Sequence, residues 1–345
     1  MTSSSTSLDG LDLVALDRHL REVEVPRSGE LRGQLISGGR SNLTFLVSDD
    51  AAKWVLRRPP LHGLTPSAHD MAREYRVVAA LRDTPVPVAR AVTMRNDDAV
   101  GGAPFQMVEY VEGRVVRHAE ELEALGDKDT ISACVDALIK VLADLHAVDP
   151  NAVGLADFGK PTGYLERQVR RWGSQWELVK RENDRFDADV RRLHSALSEA
   201  IPAQGRASIV HGDYRIDNTM LDSGDPTKVL AVLDWEMSTL GDPISDAALM
   251  CVYRHPLFNV IHASSAWASP LMPEADELAQ RYSVAAGQSL DNWDFYTALG
   301  YFKVAIIAAG IAFRARMGGG VAADTDEVDQ AVGPLIAEGL RVLKR

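Results

Sequence analysis

The sequence predicts an α+β protein in two lobes: a small antiparallel sheet in the first third and a larger α-rich lobe after it. Three observations lead there. Short strand-like runs bounded by Gly, Pro and Asp crowd into residues 31–113, whereas apolar spacing from Asp127 onward is helical. A length of 345 residues is long for one core and comfortable for two. Between the helices lies Ile209–Pro243, IVHGDYRIDNTMLDSGDPTKVLAVLDWEMSTLGDP, a polar loop followed by a short apolar strand that closes on Asp234. The expected division is 1–30 (N-terminal extension and helix), 31–112 (first lobe) and 113–345 (second lobe).

Composition narrows the function classes. An apolar fraction of 46% with 25% charged residues is that of an ordinary soluble protein, and a net charge of −12 argues against nucleic-acid binding. Two isolated cysteines, Cys134 and Cys251, make neither a disulfide framework nor a zinc site, so a cytoplasmic setting is expected. MTSSSTSLDG lacks the basic and apolar regions of a secretory signal, and the apolar run Val304–Phe313 is shorter than the ~20 residues of a membrane span. No membrane partner is expected.

In chain order, Leu11, Val14, Leu16, Leu20 and Val23 predict an amphipathic helix, followed by strands near 31–36, 43–48 and 53–58. The turn Gly38-Gly39-Arg40-Ser41-Asn42 joins the first two. Glycines let backbone N–H groups approach phosphate without a Cβ in the way, yet the same turn also serves as a plain hairpin. In the third strand Lys53, Val55 and Arg57 share one face and Trp54, Leu56 and Arg58 the other. Arg57 is either a phosphate-gripping guanidinium or a solvated edge charge. The next helix, Ser67–Leu81, bears on this choice. Met71, Glu74, Val78 and Leu81 form its apolar stripe, and a carboxylate there needs a cation, for which Arg57 is the candidate. The pair is then a phosphate clamp or a structural salt bridge.

Strands are expected over 85–92 and 104–113, the second ending at Gly113 as a hinge. Backbone groups near Glu109 and Val111, with Met107 beside them, are candidates to receive an adenine edge. Helices follow near 127–148, 163–200 (one long or two short), 241–250, 275–287, 291–317 and 325–343. His146 reads as a packed or capping histidine. Arg167, Arg170, Arg171, Lys180, Arg181, Arg185, Arg191 and Arg192 make 163–192 locally basic, which is either a solvated face or a cap suited to an anionic acceptor. Asp242 and Pro243 are placed to start the 241–250 helix, whose Asp246 falls on its buried side and is read as a brace for the HGD loop.

The order GGRSN, VLRRPP, REY, HGDYRIDN, VLDWE, GDPISD resembles the aminoglycoside phosphotransferase and choline kinase superfamily over roughly residues 30–320. VLRRPP and GYLERQVRRWGSQW are most similar to the kinase-type domain attached to some acyl-CoA dehydrogenases and its stand-alone bacterial relatives. The resemblance implies a protein-kinase-like fold and ATP- and Mg2+-dependent transfer of phosphate to a hydroxyl of a small molecule, with a hydroxyacyl-CoA as the implied acceptor. It implies Asp213 as the residue that orients and deprotonates the hydroxyl, and Asn218 and Asp234 as magnesium ligands. It further implies Arg57, held by Glu74, on phosphate oxygens, and His211 and Asp246 as supports of the loop. Gly38, Gly39, Ser41, Asn42, Met107, Glu109 and Val111 complete the expected nucleotide contacts. DWE stands where protein kinases carry DFG, and no APE-ended activation segment is present, which puts a protein-kinase style switch in doubt. A cationic acceptor of aminoglycoside or choline type, and a nucleotide-binding regulator without turnover, remain the alternatives.

Overall fold

A computed structural model describes residues 7–37, 42–60, 70–262, 265–318 and 325–344, and they form two compact units. The first takes in 1–112 together with 230–238, and the second 113–229 and 239–345. The unbroken second lobe expected from the sequence is therefore interrupted: the segment carrying Asp234 packs with the first unit, not with the helices on either side of it in the chain.

The first unit is built on a five-stranded antiparallel sheet. Its strands are β1 (Arg32–Ser37), β2 (Leu43–Ser48), β3 (Lys53–Arg58), β4 (Ala91–Arg95) and β5 (Phe105–Glu109), in spatial order β1-β2-β3-β5-β4. The fourth strand starts later than expected, since the two prolines of PVPV supply no ladder N–H. Alternation sets the two faces. Trp54, Leu56 and Phe45 pack with Phe105 and Met107 beneath helix α1 (Leu13–Glu22), whose Leu13, Leu16 and Leu20 are buried with them. Asp12 starts α1 by accepting the Val14 and Ala15 N–H groups at 3.0 and 2.9 Å. Arg58, at 3% exposure, is no edge charge: its guanidinium donates to the carbonyls of Gly10, Gly101 and Pro59 and ties the N-terminal segment to the sheet. The opposite face carries Val55, Arg57 and Gln106 and receives helix α2 (Met71–Leu81), capped by Asp70.

The second unit is α-rich. After α3 (Ala119–Glu123) it contains α4 (Lys128–Ala147), α5 (Tyr164–Val179) and α6 (Asp187–Glu199), so the 163–200 segment is two helices. Strands β6 (Ser208–Val210), β7 (Thr219–Leu221), β8 (Val229–Val232, running into the first unit) and β9 (Thr239–Gly241) frame the central loop, with β6 and β9 paired antiparallel. Then come α7 (Pro243–Val252), α8 (Phe258–Ile261), α9 (Ala275–Ala286), α10 (Trp293–Arg316) and α11 (Thr325–Val342). Asp242 caps α7 by accepting the Ile244 N–H at 3.0 Å, with Pro243 in its first turn. Helix α10 has an 18-residue window of mean hydropathy 1.6, longer than the apolar run read from the sequence. By length and composition it is able to span a bilayer, but 72% of that window is buried against the rest of the protein, as in a core helix. It packs on α11, α7 and α5.

Candidate active site

Two constellations arise, one in each unit. In the first, the pairing of β3 with β5 sets Arg57 opposite Gln106, and both reach Glu74 on α2. Arg57 Nη1 donates to Glu74 Oε2 at 2.8 Å, Gln106 Nε2 donates to the same oxygen at 2.6 Å, and Asn42 Nδ2 lies 3.5 Å from Oε1. Glu74 is only 2% exposed, and burial pushes its carboxyl up to about 7. The Arg57 charge opposes that shift, while the negative charges of Asp234 and Glu236 add to it. The second guanidinium nitrogen of Arg57 lies 3.4 Å from Asp234 Oδ1.

Asp234 closes β8 in the left-handed region, at φ 59°. That conformation is costly for a side chain other than glycine and often accompanies a functional turn. The Trp235 indole, donating to the Val232 carbonyl at 3.0 Å, braces the turn.

The expected adenine contacts need one correction. Met107 pairs with Leu56 and is fully buried in the α1 core, on the face away from Arg57. Strand alternation gives the Arg57 face to Gln106 and Val108 instead. Glu109 is exposed, with its N–H donated to the Arg90 carbonyl at 2.8 Å and its carboxylate 3.4 Å from Arg90 Nη1. Of the two backbone candidates, only Val111 has an N–H without a protein acceptor among the described residues. Gly38, Gly39 and Ser41 lie outside the described residues.

In the second unit, the loop after β6 is held through its backbone. Asp246, on α7 and 3% exposed, accepts the N–H groups of His211 and Gly212 at 2.6 and 2.7 Å. His146 Nε2 lies 3.3 Å from the same carboxylate, and its Nδ1 is 2.7 Å from Tyr282 Oη. Burial opposes ionisation of Asp246, but these donors outweigh it and hold its carboxyl below the usual carboxylate range. Gly212 adopts φ 84°, which suits glycine. His211 is fully buried and takes the Asp213 N–H on Nδ1 at 3.3 Å.

The Asp213 carboxylate is then gripped on both oxygens. Tyr253 Oη donates to Oδ1 at 2.6 Å; Asn218 Nδ2 donates to Oδ2 at 3.0 Å, and Arg215 Nη2 lies 3.3 Å from Oδ2. Asn218 Nδ2 also donates to the Asp213 carbonyl at 2.7 Å, so its amide nitrogen is committed and its oxygen is left for another partner. Lys303 Nζ donates to the Gly212 carbonyl at 2.7 Å and sits 5.7 Å from the centre of the Trp172 ring. Burial lowers the Lys303 ammonium, with Asp213 and Asp246 opposing the shift.

Sequence reasoning missed Tyr253, Arg215 and Lys303. Lys303 had a signal, being a lone cation in the apolar run YFKVAIIAAG, and Arg215 stands inside HGDYRIDN. Tyr253 had none. The basic helices, by contrast, are largely neutralised. Lys180 and Arg191 pair with Glu177 and Asp187, Arg181 and Arg185 with Asp329, and Arg192 with Asp189, while Arg167 donates to the carbonyls of Thr162 and Lys160. Arg170 and Arg171 are exposed, the latter 5.6 Å from the Trp172 ring.

Residues 32–298 match the family model described as "Phosphotransferase enzyme family", and the chain belongs to that family. It is 32% identical to human acyl-CoA dehydrogenase family member 11 over 335 residues, 96% of this chain and 42% of that protein. It is 34% identical to mouse acyl-CoA dehydrogenase family member 10 over 310 residues, 88% of this chain and 28% of that one. The chain thus spans well under half the length of these relatives. A crystal structure from Ralstonia eutropha, provisionally assigned as an aminoglycoside phosphotransferase, aligns with a TM-score of 0.82 at 32% identity, covering 97% of this chain and 98% of that one. A more distant aminoglycoside phosphotransferase, in complex with AMP-PNP and hygromycin B, aligns over 96% of this chain and 98% of its own with a TM-score of 0.61 at 14% identity. The fold is kinase-like.

Proposed function

We propose that this member of the phosphotransferase enzyme family transfers the γ-phosphate of ATP, with magnesium, to a hydroxyl of a small molecule, and that a hydroxyacyl-CoA is the acceptor. The observation that carries the reading is Asp213: a carboxylate gripped on both oxygens, on a loop whose two preceding N–H groups are held by a buried Asp246. Such a group is pre-oriented to take a proton from a hydroxyl. As the acceptor oxygen bonds to phosphorus, the bond from the γ-phosphorus to the bridging oxygen breaks, ADP leaves, and the hydroxyl proton passes to Asp213. Positioning and charge supply most of such a reaction, so a short list of side chains is enough.

On this reading Arg57, steadied by Glu74 and Gln106, binds phosphate oxygens, and the free N–H of Val111 and the backbone of Glu109 receive the adenine edge. Gly38, Gly39, Ser41 and Asn42 complete the phosphate contacts. Asp234 and Asn218, the latter through its amide oxygen, are the residues that would hold magnesium. These are hard oxygen donors, as magnesium prefers. Bound there, magnesium would neutralise phosphate charge; the proton remains the business of Asp213.

The acceptor assignment draws on the acyl-CoA dehydrogenase relatives and on Arg170 and Arg171, exposed and without a carboxylate partner among the described residues; a cytoplasmic setting is part of the same reading. A magnesium/ATP consumption screen over hydroxyacyl-CoAs, aminoglycosides, choline and homoserine tests it. Turnover on a hydroxyacyl-CoA is expected, and activity confined to a cationic amino-alcohol overturns the acceptor. Asp213→Ala is expected to lower transfer by about 10²- to 10⁴-fold with nucleotide binding retained. A wild type that binds nucleotide without turning over any acceptor makes the protein a regulator, and Asp213→Ala at wild-type rate removes the base.

A further inference from the structure

Helix α7 and its C-cap residue each send one side chain to the same loop. Asp246 and Tyr253 are seven positions apart, two helical turns, and so project from one side. The first holds the loop backbone at His211 and Gly212, and the second reaches the Asp213 side chain. We propose that Tyr253 is a positioning residue for Asp213, and that the acceptor hydroxyl docks on the remaining lone pair of Asp213 Oδ1, beside Tyr253 Oη. The inference rests on the reading of Asp213 as the proton acceptor.

An ionised carboxylate offers about four lone-pair sites. On Asp213, Asn218 donates to Oδ2, where the Arg215 guanidinium also lies 3.3 Å away, and Tyr253 donates to Oδ1. The second lone pair of Oδ1 has no donor among the described residues. The 2.6 Å separation to Tyr253 lies in the short range of hydrogen bonds to an ionised acceptor. Burial and the neighbouring Asp213 hold the Tyr253 phenol well above the ordinary tyrosine range, so it remains a donor throughout the working pH range.

The ring itself has little freedom. It is 3% exposed, packs on Phe258 with centroids 4.5 Å apart, and has the Arg215 guanidinium 5.3 Å from its centre. Phe258 in turn packs on His262 at 4.7 Å, and burial, helped by Arg215, drives His262 down to about 4, leaving it neutral. The same guanidinium that grips Asp213 Oδ2 therefore also clamps the ring that grips Oδ1. A tyrosine kept only for packing has no need to aim its hydroxyl at the one carboxylate of the loop that faces a reaction.

The test is Tyr253→Phe, assayed with magnesium, ATP and an acceptor turned over by the wild type. We expect kcat to fall about 10- to 100-fold while KM for ATP stays within about twofold, as for a misplaced catalytic group. Phe258→Leu, which loosens the same packing but keeps the hydroxyl, should leave kcat within about threefold of the wild type. Ring-fluorinated tyrosine at position 253, a donor of nearly the same shape, should likewise keep kcat within about threefold, and a loss of about 10-fold or more in it counts against the inference even if the Phe variant does not fold. Wild-type kcat in Tyr253→Phe overturns the inference, as does an equal loss of kcat in Phe258→Leu. A wild type that transfers no phosphate from ATP overturns the functional reading, and this inference with it; that failure appears before any variant is made.

Discussion

Glu74 and Asp246 are both buried carboxylates that organise a site, one in each unit, yet their environments push them in opposite directions. Glu74, pushed up to about 7, has one cation, two amide donors (Gln106 at 2.6 Å and Asn42 at 3.5 Å) and two acidic neighbours. Asp246, held below the usual range, has two backbone N–H donors within 2.7 Å and a histidine. Burial penalises the charge in both, so its sign does not separate them. The two acidic neighbours of Glu74 and the two close backbone donors of Asp246 do. Asp246 is a fixed brace whose charge the fold is built to hold. Glu74 is a carboxyl whose charge burial, Asp234 and Glu236 oppose and Arg57 and Gln106 support.

The comparison breaks most visibly at the brace. Asp246→Asn replaces one acceptor oxygen by an N–H that faces backbone donors, and should cost about 3–5 kcal/mol of stability in urea titrations at neutral pH. Because Asp246 is depressed below its ordinary 3.8, its contribution is fully present above that value and is lost as pH falls through the folded one. The gap between variant and wild type should therefore close in acid.

Glu74→Gln sharpens the contrast through the opposite sign. A carboxyl raised from 4.5 to about 7 favours the folded state when protonated, so its contribution is full below pH 4.5 and declines toward pH 7. The variant should gain on the wild type across that window, by up to about 3 kcal/mol. A pH-independent difference would show that Glu74 stays ionised throughout. Smallest is Arg57→Lys. One ammonium cannot reproduce the two separate nitrogens that meet Glu74 and Asp234, so KM for ATP should rise about tenfold, roughly 1.4 kcal/mol, with stability little changed. An unchanged KM would remove Arg57 from the nucleotide site.

Much of this was legible because it is local. The period-two pattern of KWVLRR separated Arg57 from Arg58 and predicted which face each would take, and the helical period of MAREYRVVAAL turned Glu74 inward toward it. Asp242 and Pro243 marked the start of α7, and the spacing within that helix turned Asp246 to its buried side. The same alternation rule sends Met107, expected at the adenine edge, to the α1 core with Leu56. The ion pairs of the basic stretch 163–192 were not legible, because the countercharge Asp329 of Arg181 and Arg185 is distant in sequence.

By itself, then, the sequence determined the periodicities, the caps and the order of polar motifs, which depend on interactions within a few residues and suffice to place this chain in a phosphotransferase family with a kinase-like fold. Only the tertiary structure decided that 230–238 joins the first unit, that Tyr253 and Arg215 grip Asp213, and that Lys303 holds the Gly212 carbonyl. Tyr253 and Asp213 stand 40 residues apart, and Lys303 and Gly212 stand 91 apart. No local periodicity encodes such a meeting, because side chains this distant are brought together by the packing of whole helices, which sets where a lone hydroxyl or ammonium finally points.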